Sequence, residues 1–132
     1  MTAKTENTTS TVSILLVEDT PTQATRFISS LENGGCSVRW EENGLNGLEA
    51  ARSGFYDLII LDIELPDIDG FEVCRRLKAD ASVADIPVIM LTTRDRAEDA
   101  LTGLGQGAID YIPKDSFAEI VLLETLKQMG LL

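Results

Sequence analysis

The stretch LIILDIELPDIDGFEV, residues 58–73, decides the fold. Its first four residues are all apolar, and such a short run predicts a strand that is buried on both faces. Asp62 follows this run directly, and the turn residues before Gly70 indicate the start of a helix. A strand that is buried on both faces and followed by a helix is the repeating unit of a parallel sheet.

The same alternation of an apolar run and a helix-period segment continues in both directions along the chain. The other predicted strands are residues 14–17, 36–40, 88–91 and 108–112. Helices with apolar residues at i, i+3, i+4 and i+7 follow the strands, and Asn43 and Ser116 are predicted to cap the second and fifth of them. We therefore predict an α/β fold, a doubly wound parallel sheet of five strands with five helices on its two faces.

The length of 132 residues predicts one domain. Residues 1–11 are polar and rich in hydroxyl groups, so we expect a flexible N-terminal tail and a folded domain over residues 12–132. The formal net charge of −11 disfavours binding to nucleic acid or to an anionic membrane. The two cysteines are too few for a disulfide framework, and no apolar run is long enough to span a bilayer, so we expect a cytoplasmic protein.

Composition and spacing exclude several kinds of site. The chain has no histidine, which excludes Ser-His-Asp catalysis and His-ligated zinc, while its 22 acidic residues favour hard cations bound by oxygen. The glycines of GLGQG, residues 103–107, close a helix and precede a strand, the reverse of a dinucleotide-binding loop. With Gly70 at position 6 of a calcium loop, positions 1 and 12 would be Leu65 and Arg76, which are unsuitable ligands.

Polar residues stand where the predicted strands end. Glu18 and Asp19 follow the first strand, Asp62 follows the third, Thr92 follows the fourth, and Lys114 lies just beyond the fifth. Ligands of doubly wound sheets bind at the carboxyl ends of the strands, so we expect these side chains to meet. Three carboxylates there suit Mg²⁺, and an adjacent ammonium and hydroxyl can hold a tetrahedral anion beside the metal.

Four segments carry a resemblance to a known family. They are ILLVED (14–19), LIILDIELPDIDGFEV (58–73), PVIMLTT (87–93) and GAIDYIPK (107–114). In these segments and their spacing the chain resembles the receiver domains of two-component response regulators, over about residues 12–130. The resemblance implies the flavodoxin-like (βα)5 fold of the bacterial chemotaxis response regulator.

The resemblance also implies a magnesium site. Asp19 and Asp62 match direct Mg²⁺ ligands, and Glu18 matches the acid that holds the metal through water. Glu64 stands where the family supplies a backbone carbonyl to the metal.

The phosphorylation chemistry is implied in the same way. Asp62 matches the phosphoacceptor, Thr92 the hydroxyl that turns onto the phosphoryl group, and Lys114 the ammonium that pairs with it. Tyr111 occupies the aromatic switch position. Since this chain has no histidine, the donor would be a phosphohistidine on a sensor histidine kinase or phosphotransfer protein, or a small acyl phosphate. Such a protein is a signalling phosphoacceptor that catalyses its own phosphorylation and dephosphorylation, and not an enzyme acting on a separate substrate.

Three further expectations concern how the domain works. We expect a stand-alone receiver that switches a protein-interaction surface, and the alternative is a receiver-like interaction module that works without phosphorylation. The family often dimerises through the surface formed by helix 4, strand 5 and helix 5. In helix 5 the four consecutive apolar residues 120–123 extend around most of the helix, so they cannot all be buried against the sheet. This favours an interaction surface that includes helix 5.

Two departures from the family pattern lie near the site. The family usually has proline after the lysine, whereas Asp115 follows Lys114 here, so we predict a trans peptide at that position. Thr93 stands where a small residue is common and is expected to narrow access to the phosphoacceptor. We also predict that Glu64 and Arg94 form an ion pair across the opening when the site is phosphorylated, and that this pair slows the loss of the phosphoryl group.

Overall fold

The structure is a computed structural model that describes residues 11–93 and 97–132. The predicted tail, apart from Thr11, lies outside the described residues. The strands are β1 (Ser13–Val17), β2 (Ser37–Glu41), β3 (Leu58–Leu61), β4 (Val88–Thr92) and β5 (Asp110–Pro113). The helices are α1 (Pro21–Asn33), α2 (Gly44–Ser53), α3 (Gly70–Lys78), α4 (Ala97–Gly105) and α5 (Ala118–Gln128).

The five strands form one parallel sheet in the order β2-β1-β3-β4-β5. The predicted doubly wound fold is therefore confirmed. The order reverses between β1 and β3, which makes the crevice beyond their carboxyl ends the expected ligand site. Within the two described ranges, no helix is both long enough and apolar enough to cross a membrane.

The central strands are apolar throughout because each side of the sheet is covered. In β3, Ile59 and Leu61 pack into the core layer that α2 and α3 cover, while Leu58 and Ile60 pack into the layer under α1 and α5. Successive strand residues point to opposite faces, so an uninterrupted apolar run is what two buried faces require. The sheet thereby holds the residues that follow each strand at one rigid edge.

The predicted caps have different outcomes. The Asn43 side chain accepts a hydrogen bond from the Asn46 amide at 2.8 Å, which confirms it as the cap of α2. The prediction for Ser116 is wrong, because α5 begins only at Ala118. The Asp115 carboxylate, a stronger acceptor than a hydroxyl, accepts from the Phe117 amide at 2.8 Å in an Asx turn.

Candidate functional site at the carboxyl edge of the sheet

The register of β1 and β3 brings two acidic residues together. Val17 is paired with Leu61, and the Asp62 amide donates a hydrogen bond to the Val17 carbonyl at 3.0 Å. Glu18 and Asp62 therefore leave neighbouring strands side by side, at the point where the strand order reverses. This is the position at which doubly wound sheets bind ligands.

Three carboxylates form a compact cluster at this edge. One oxygen from each of Glu18, Asp19 and Asp62 can be chosen so that all three lie within 4.8 Å of one another. Glu18 is 1% exposed and Asp62 is 6% exposed, whereas Asp19 faces solvent. Like charges this close repel strongly unless a cation neutralises them. Oxygen donors of this kind fit Mg²⁺, with solvent-facing positions left for water.

The Lys114 side chain brings a positive charge into contact with this carboxylate cluster. Its ammonium donates to Glu18 Oε1, to Asp62 Oδ2 at 2.8 Å and to Gln23 Oε1 at 2.6 Å. Its side chain is 5% exposed, so these contacts are largely shielded from solvent. The sequence analysis missed Gln23, because nothing in the pattern of α1 distinguishes a glutamine that faces the site from one that faces water.

The electrostatics of Glu18 reflect this crowded setting. Burial raises the pKa of the Glu18 carboxyl, and this effect outweighs the hydrogen bonds from Lys114 and from the Thr20 amide, which act to lower it. The negative charge of Asp62 raises it further. Trp40 also reaches this residue, since its indole Nε1 donates to the Glu18 backbone carbonyl at 2.7 Å.

Thr92 and Tyr111 lie on the two strands next to the cluster. Thr92 is fully buried at the end of β4, and its carbonyl accepts a hydrogen bond from the Lys114 amide at 2.7 Å. Tyr111 in β5 is half-buried and packs against the core layer under α3. A methyl group added at Gly103 of α4 would lie 3.4 Å from the Tyr111 ring, so α4 crosses close over this aromatic residue.

Glu64 lies in the loop after β3 and is exposed. Its carboxylate accepts a hydrogen bond from Thr93 Oγ1 at 3.1 Å, and its amide donates to Asp62 Oδ1 at 3.3 Å. Arg94, the expected partner of Glu64, lies outside the described residues. The Lys114–Asp115 peptide is trans, as predicted.

The structure thus brings Glu18, Asp62 and Lys114 into direct contact, with Asp19 beside them. A carboxylate in this setting can act as a nucleophile, while the ammonium and a bound divalent cation neutralise negative charge that develops on an incoming group. A cavity of about 750 Å³ lies at the opposite edge near Tyr56 and Val83, and it shares no residue with the cluster.

The chain matches the response regulator receiver domain family over residues 14–127. It is 39% identical over 109 residues to the protein PilH of Pseudomonas aeruginosa, a match that covers 83% of this chain and 90% of PilH. It is 46% identical over 120 residues to the uncharacterised transcriptional regulatory protein YkoG of Bacillus subtilis, covering 89% of this chain and 52% of YkoG. The chain therefore spans most of the first relative and about half of the second.

A solved structure extends the comparison to the site. The receiver domain of the sensor histidine kinase PA1611 of Pseudomonas aeruginosa has a TM-score of 0.81 and 30% sequence identity to this chain, and the match covers 89% of this chain and 96% of that one. It was determined with a magnesium ion coordinated in its active site cleft.

Proposed function

Because the chain belongs to the response regulator receiver domain family, we propose that Asp62 accepts a phosphoryl group from a partner phosphohistidine. The donor is a sensor histidine kinase or a phosphotransfer protein of a two-component system. The reaction would depend on Mg²⁺, which Asp19 and Asp62 would hold directly, Glu18 through water and Glu64 through its backbone carbonyl.

One observation carries the proposal. Asp62 is 6% exposed at the β1/β3 switch point, and the Lys114 ammonium lies 2.8 Å from its Oδ2 atom. A structural ion pair would need only these two groups, yet Glu18 and Asp19 bring two more carboxylates to the same edge. That excess of negative charge is accounted for by a site that binds a divalent cation.

The chemistry follows from these contacts. A carboxylate oxygen of Asp62 attacks the phosphorus, the bond between phosphorus and the partner's imidazole nitrogen breaks, and its electron pair stays on the imidazole. Lys114 moves its hydrogen bond from Asp62 to an oxygen of the arriving group and neutralises part of its charge. When bound at the acidic cluster, Mg²⁺ would supply further neutralisation of the negative charge on the arriving group. Hydrolysis of the aspartyl phosphate, catalysed by the same residues, returns the domain to its starting state.

The switch is carried by Thr92 and Tyr111. We propose that the Thr92 hydroxyl turns onto the phosphoryl group and that Tyr111 follows it inward. β4 and β5, which carry these two residues, are linked through the backbone: Met90 is paired with Tyr111, and the Thr92 carbonyl accepts a hydrogen bond from the Lys114 amide. Movement at the end of β4 would then reach β5 and the neighbouring helices.

The proposal is tested by intact mass measurement after incubation with acetyl phosphate and Mg²⁺. The parent should gain about 80 Da, the mass of HPO₃, and Asp62→Asn should gain nothing. Lys127→Met, which changes a lysine that is 60% exposed on α5, is the matched control and should be modified like the parent. The absence of an adduct with acetyl phosphate and with phosphodonor kinases would favour the phosphorylation-independent interaction module.

The output surface is proposed to be the face formed by α4, β5 and α5, with a second copy of the chain as its partner. Apolar side chains are exposed in α4, in α5 and directly before β5 and α5: Leu101, Leu104, Ile109, Phe117, Ile120 and Val121. In α5, Leu122 is buried whereas Ile120 and Val121 are exposed. This is expected because consecutive apolar residues point in different directions around a helix and cannot all face the core. Sedimentation of the parent with and without beryllofluoride tests this, and a monomer under both conditions at high concentration would contradict it.

Two further expectations stay predictions. That the receiver is stand-alone stays a prediction, since the match covers 90% of PilH and 52% of YkoG. The cytoplasmic location expected from composition is in keeping with a partner that carries phosphohistidine. Expression of the natural gene with a tag, followed by fractionation and mass measurement, tests both.

A further inference from the structure

Asp67, in the loop between β3 and α3, makes contacts that the proposed chemistry does not use. Its Oδ1 accepts a hydrogen bond from the Gly44 amide and its Oδ2 accepts one from the Leu45 amide, each at 2.8 Å. These residues open α2, where the first amides lack partners within the helix. Asn43 covers a third amide, that of Asn46. One loop carboxylate therefore ties the β3–α3 loop to the start of a different helix.

The backbone confirms how closely the loop and the helix approach each other. A methyl group added at Gly44 would lie 2.7 Å from Ile68 Cγ1 and 3.0 Å from the Ile68 carbonyl oxygen. Such distances leave no room for a side chain, so glycine allows the loop to rest directly on α2. Asp67 and Ile68 together form this contact.

The same loop carries the residues nearest the phosphoacceptor. At its far end, the Gly70 amide donates to the Ile63 carbonyl at 2.9 Å, and a methyl group added at Gly70 would lie 2.2 Å from the Asp62 carbonyl oxygen. The loop is thus fixed at both ends beside Asp62. Glu64 lies between these fixed ends, and Asp67 holds the middle of the span.

We propose that Asp67 is a positioning residue for the magnesium site: by fastening the β3–α3 loop to α2, it holds the Glu64 backbone where its carbonyl can bind the metal. This inference rests on the proposed function. Partial burial would raise the pKa of the Asp67 carboxyl, but the amides of Leu45 and Gly44 outweigh it and hold the pKa below its usual value. The carboxylate is therefore charged at neutral pH, as a partner of a helix N-terminus is expected to be.

Trp40 provides the means of measurement. It is the single tryptophan of the chain, and its indole hydrogen bond to the Glu18 carbonyl places it at the metal site. A titration of Trp40 fluorescence with Mg²⁺, without any phosphodonor, gives the metal affinity directly. In Asp67→Ala we expect that affinity to fall about tenfold, as is typical when a residue that orients a metal ligand is removed. Asp67→Asn, which keeps one acceptor oxygen, should fall between the parent and Asp67→Ala.

Asn43→Ala is the matched control because it removes a cap from the same helix and leaves the loop contact intact. It should lower the melting temperature and keep the Mg²⁺ affinity of the parent. In metal-free protein, amide hydrogen exchange at Glu64 and Leu65 should accelerate in Asp67→Ala and not in Asn43→Ala. If Asp67 only caps α2, the Mg²⁺ affinity and the amide exchange at Glu64 and Leu65 should stay as in the parent, both in Asp67→Ala and in Asn43→Ala.

The outcomes separate this inference from the proposed function. If the parent gains the phosphoryl adduct while Asp67→Ala and Asp67→Asn bind Mg²⁺ as the parent does, the positioning role is wrong and the proposed function stands. If the parent gains no adduct and its fluorescence does not respond to Mg²⁺, both are wrong. Should Asp67→Ala fail to fold, Asp67→Asn decides, with a several-fold loss of affinity expected and an unchanged affinity overturning the role.

Discussion

Replacing Lys114 by methionine removes the positive charge that contacts the carboxylates of the site. The ammonium serves three acceptors, Glu18, Asp62 and Gln23, and its side chain is 5% exposed. Methionine has a similar length and fills the same space without a charge or a donor. In metal-free protein, the substitution therefore leaves two buried carboxylates without their cation and makes little change in packing.

The expected loss of stability follows from the burial of these groups. Removing one partner of a buried ion pair costs about 3–5 kcal/mol, because the remaining charge is left uncompensated. For a domain of this size, that lowers the melting temperature by about 10–20 °C. Lys127→Met removes an ion pair whose partners are 60% and 59% exposed, 3.5 Å apart. Exposed pairs contribute about 0–1 kcal/mol, so this control should melt within a few degrees of the parent.

Thermal unfolding followed by circular dichroism at pH 8, first in EDTA and then in Mg²⁺, measures the effect. The alkaline pH favours the ionised form of Glu18, whose pKa burial raises. Mg²⁺ should recover much of the lost stability in Lys114→Met, since a ligand that binds only the folded state stabilises it by about 2.7 kcal/mol at a hundred times its dissociation constant. If Lys114→Met in EDTA melts within about 4 °C of the parent, which is roughly 1 kcal/mol, the reasoning from buried charge is refuted.

Three other substitutions test separate parts of the site. Asp19→Asn should abolish Mg²⁺-dependent phosphorylation and leave the circular dichroism spectrum unchanged, because this ligand faces solvent; a normal mass adduct would show that the metal site is misplaced. Glu64→Ala should shorten the phosphoryl half-life several-fold, because it removes the carboxylate that Thr93 holds at the opening, and an unchanged half-life would mean that no such gate exists. Asp67→Asn should be less stable than the parent at pH 7, and the difference should shrink as the pH falls below about 4, because a carboxyl whose folded-state pKa is lowered loses its contribution on protonation. Urea unfolding at several pH values measures this, and a constant difference would contradict it.

The placement of the acidic residues was predictable from sequence for a definite physical reason. Each central strand is covered on both faces, so its apolar run ends where the strand ends, and the next residue lies at the carboxyl edge of the sheet. Glu18 and Asp62 both follow such runs directly. Their proximity then needs only the parallel arrangement, which the alternation of strands and helices indicates.

The contacts that sequence reasoning missed are those between distant loops and helices. Gln23 and Lys114 are 91 residues apart, and the amide faces the site only because α1 packs beside the loop after β5. Asp67 lies in a turn whose sequence explains an aspartate without any partner, and the amides that donate to its carboxylate depend on how α2 meets that turn. Periodicity reports which face of an element is buried, and it contains no information on which polar group meets another across the fold.

The loop after β5 shows how this chain dispenses with the proline that is usual in the family. Asp115 has an amide that proline would lack, and it donates to the Pro113 carbonyl at 3.0 Å, while its carboxylate holds the Phe117 amide. The Lys114 amide is fixed in turn by the Thr92 carbonyl. Hydrogen bonds on both sides of the Lys114–Asp115 peptide therefore set the direction of the lysine side chain, and the trans peptide already brings its ammonium to 2.8 Å from Asp62 Oδ2. The position of the ammonium beside Asp62 is thus determined by acceptors on β4, on β5 and in the loop before α5, so a proline ring at position 115 is not needed to place it.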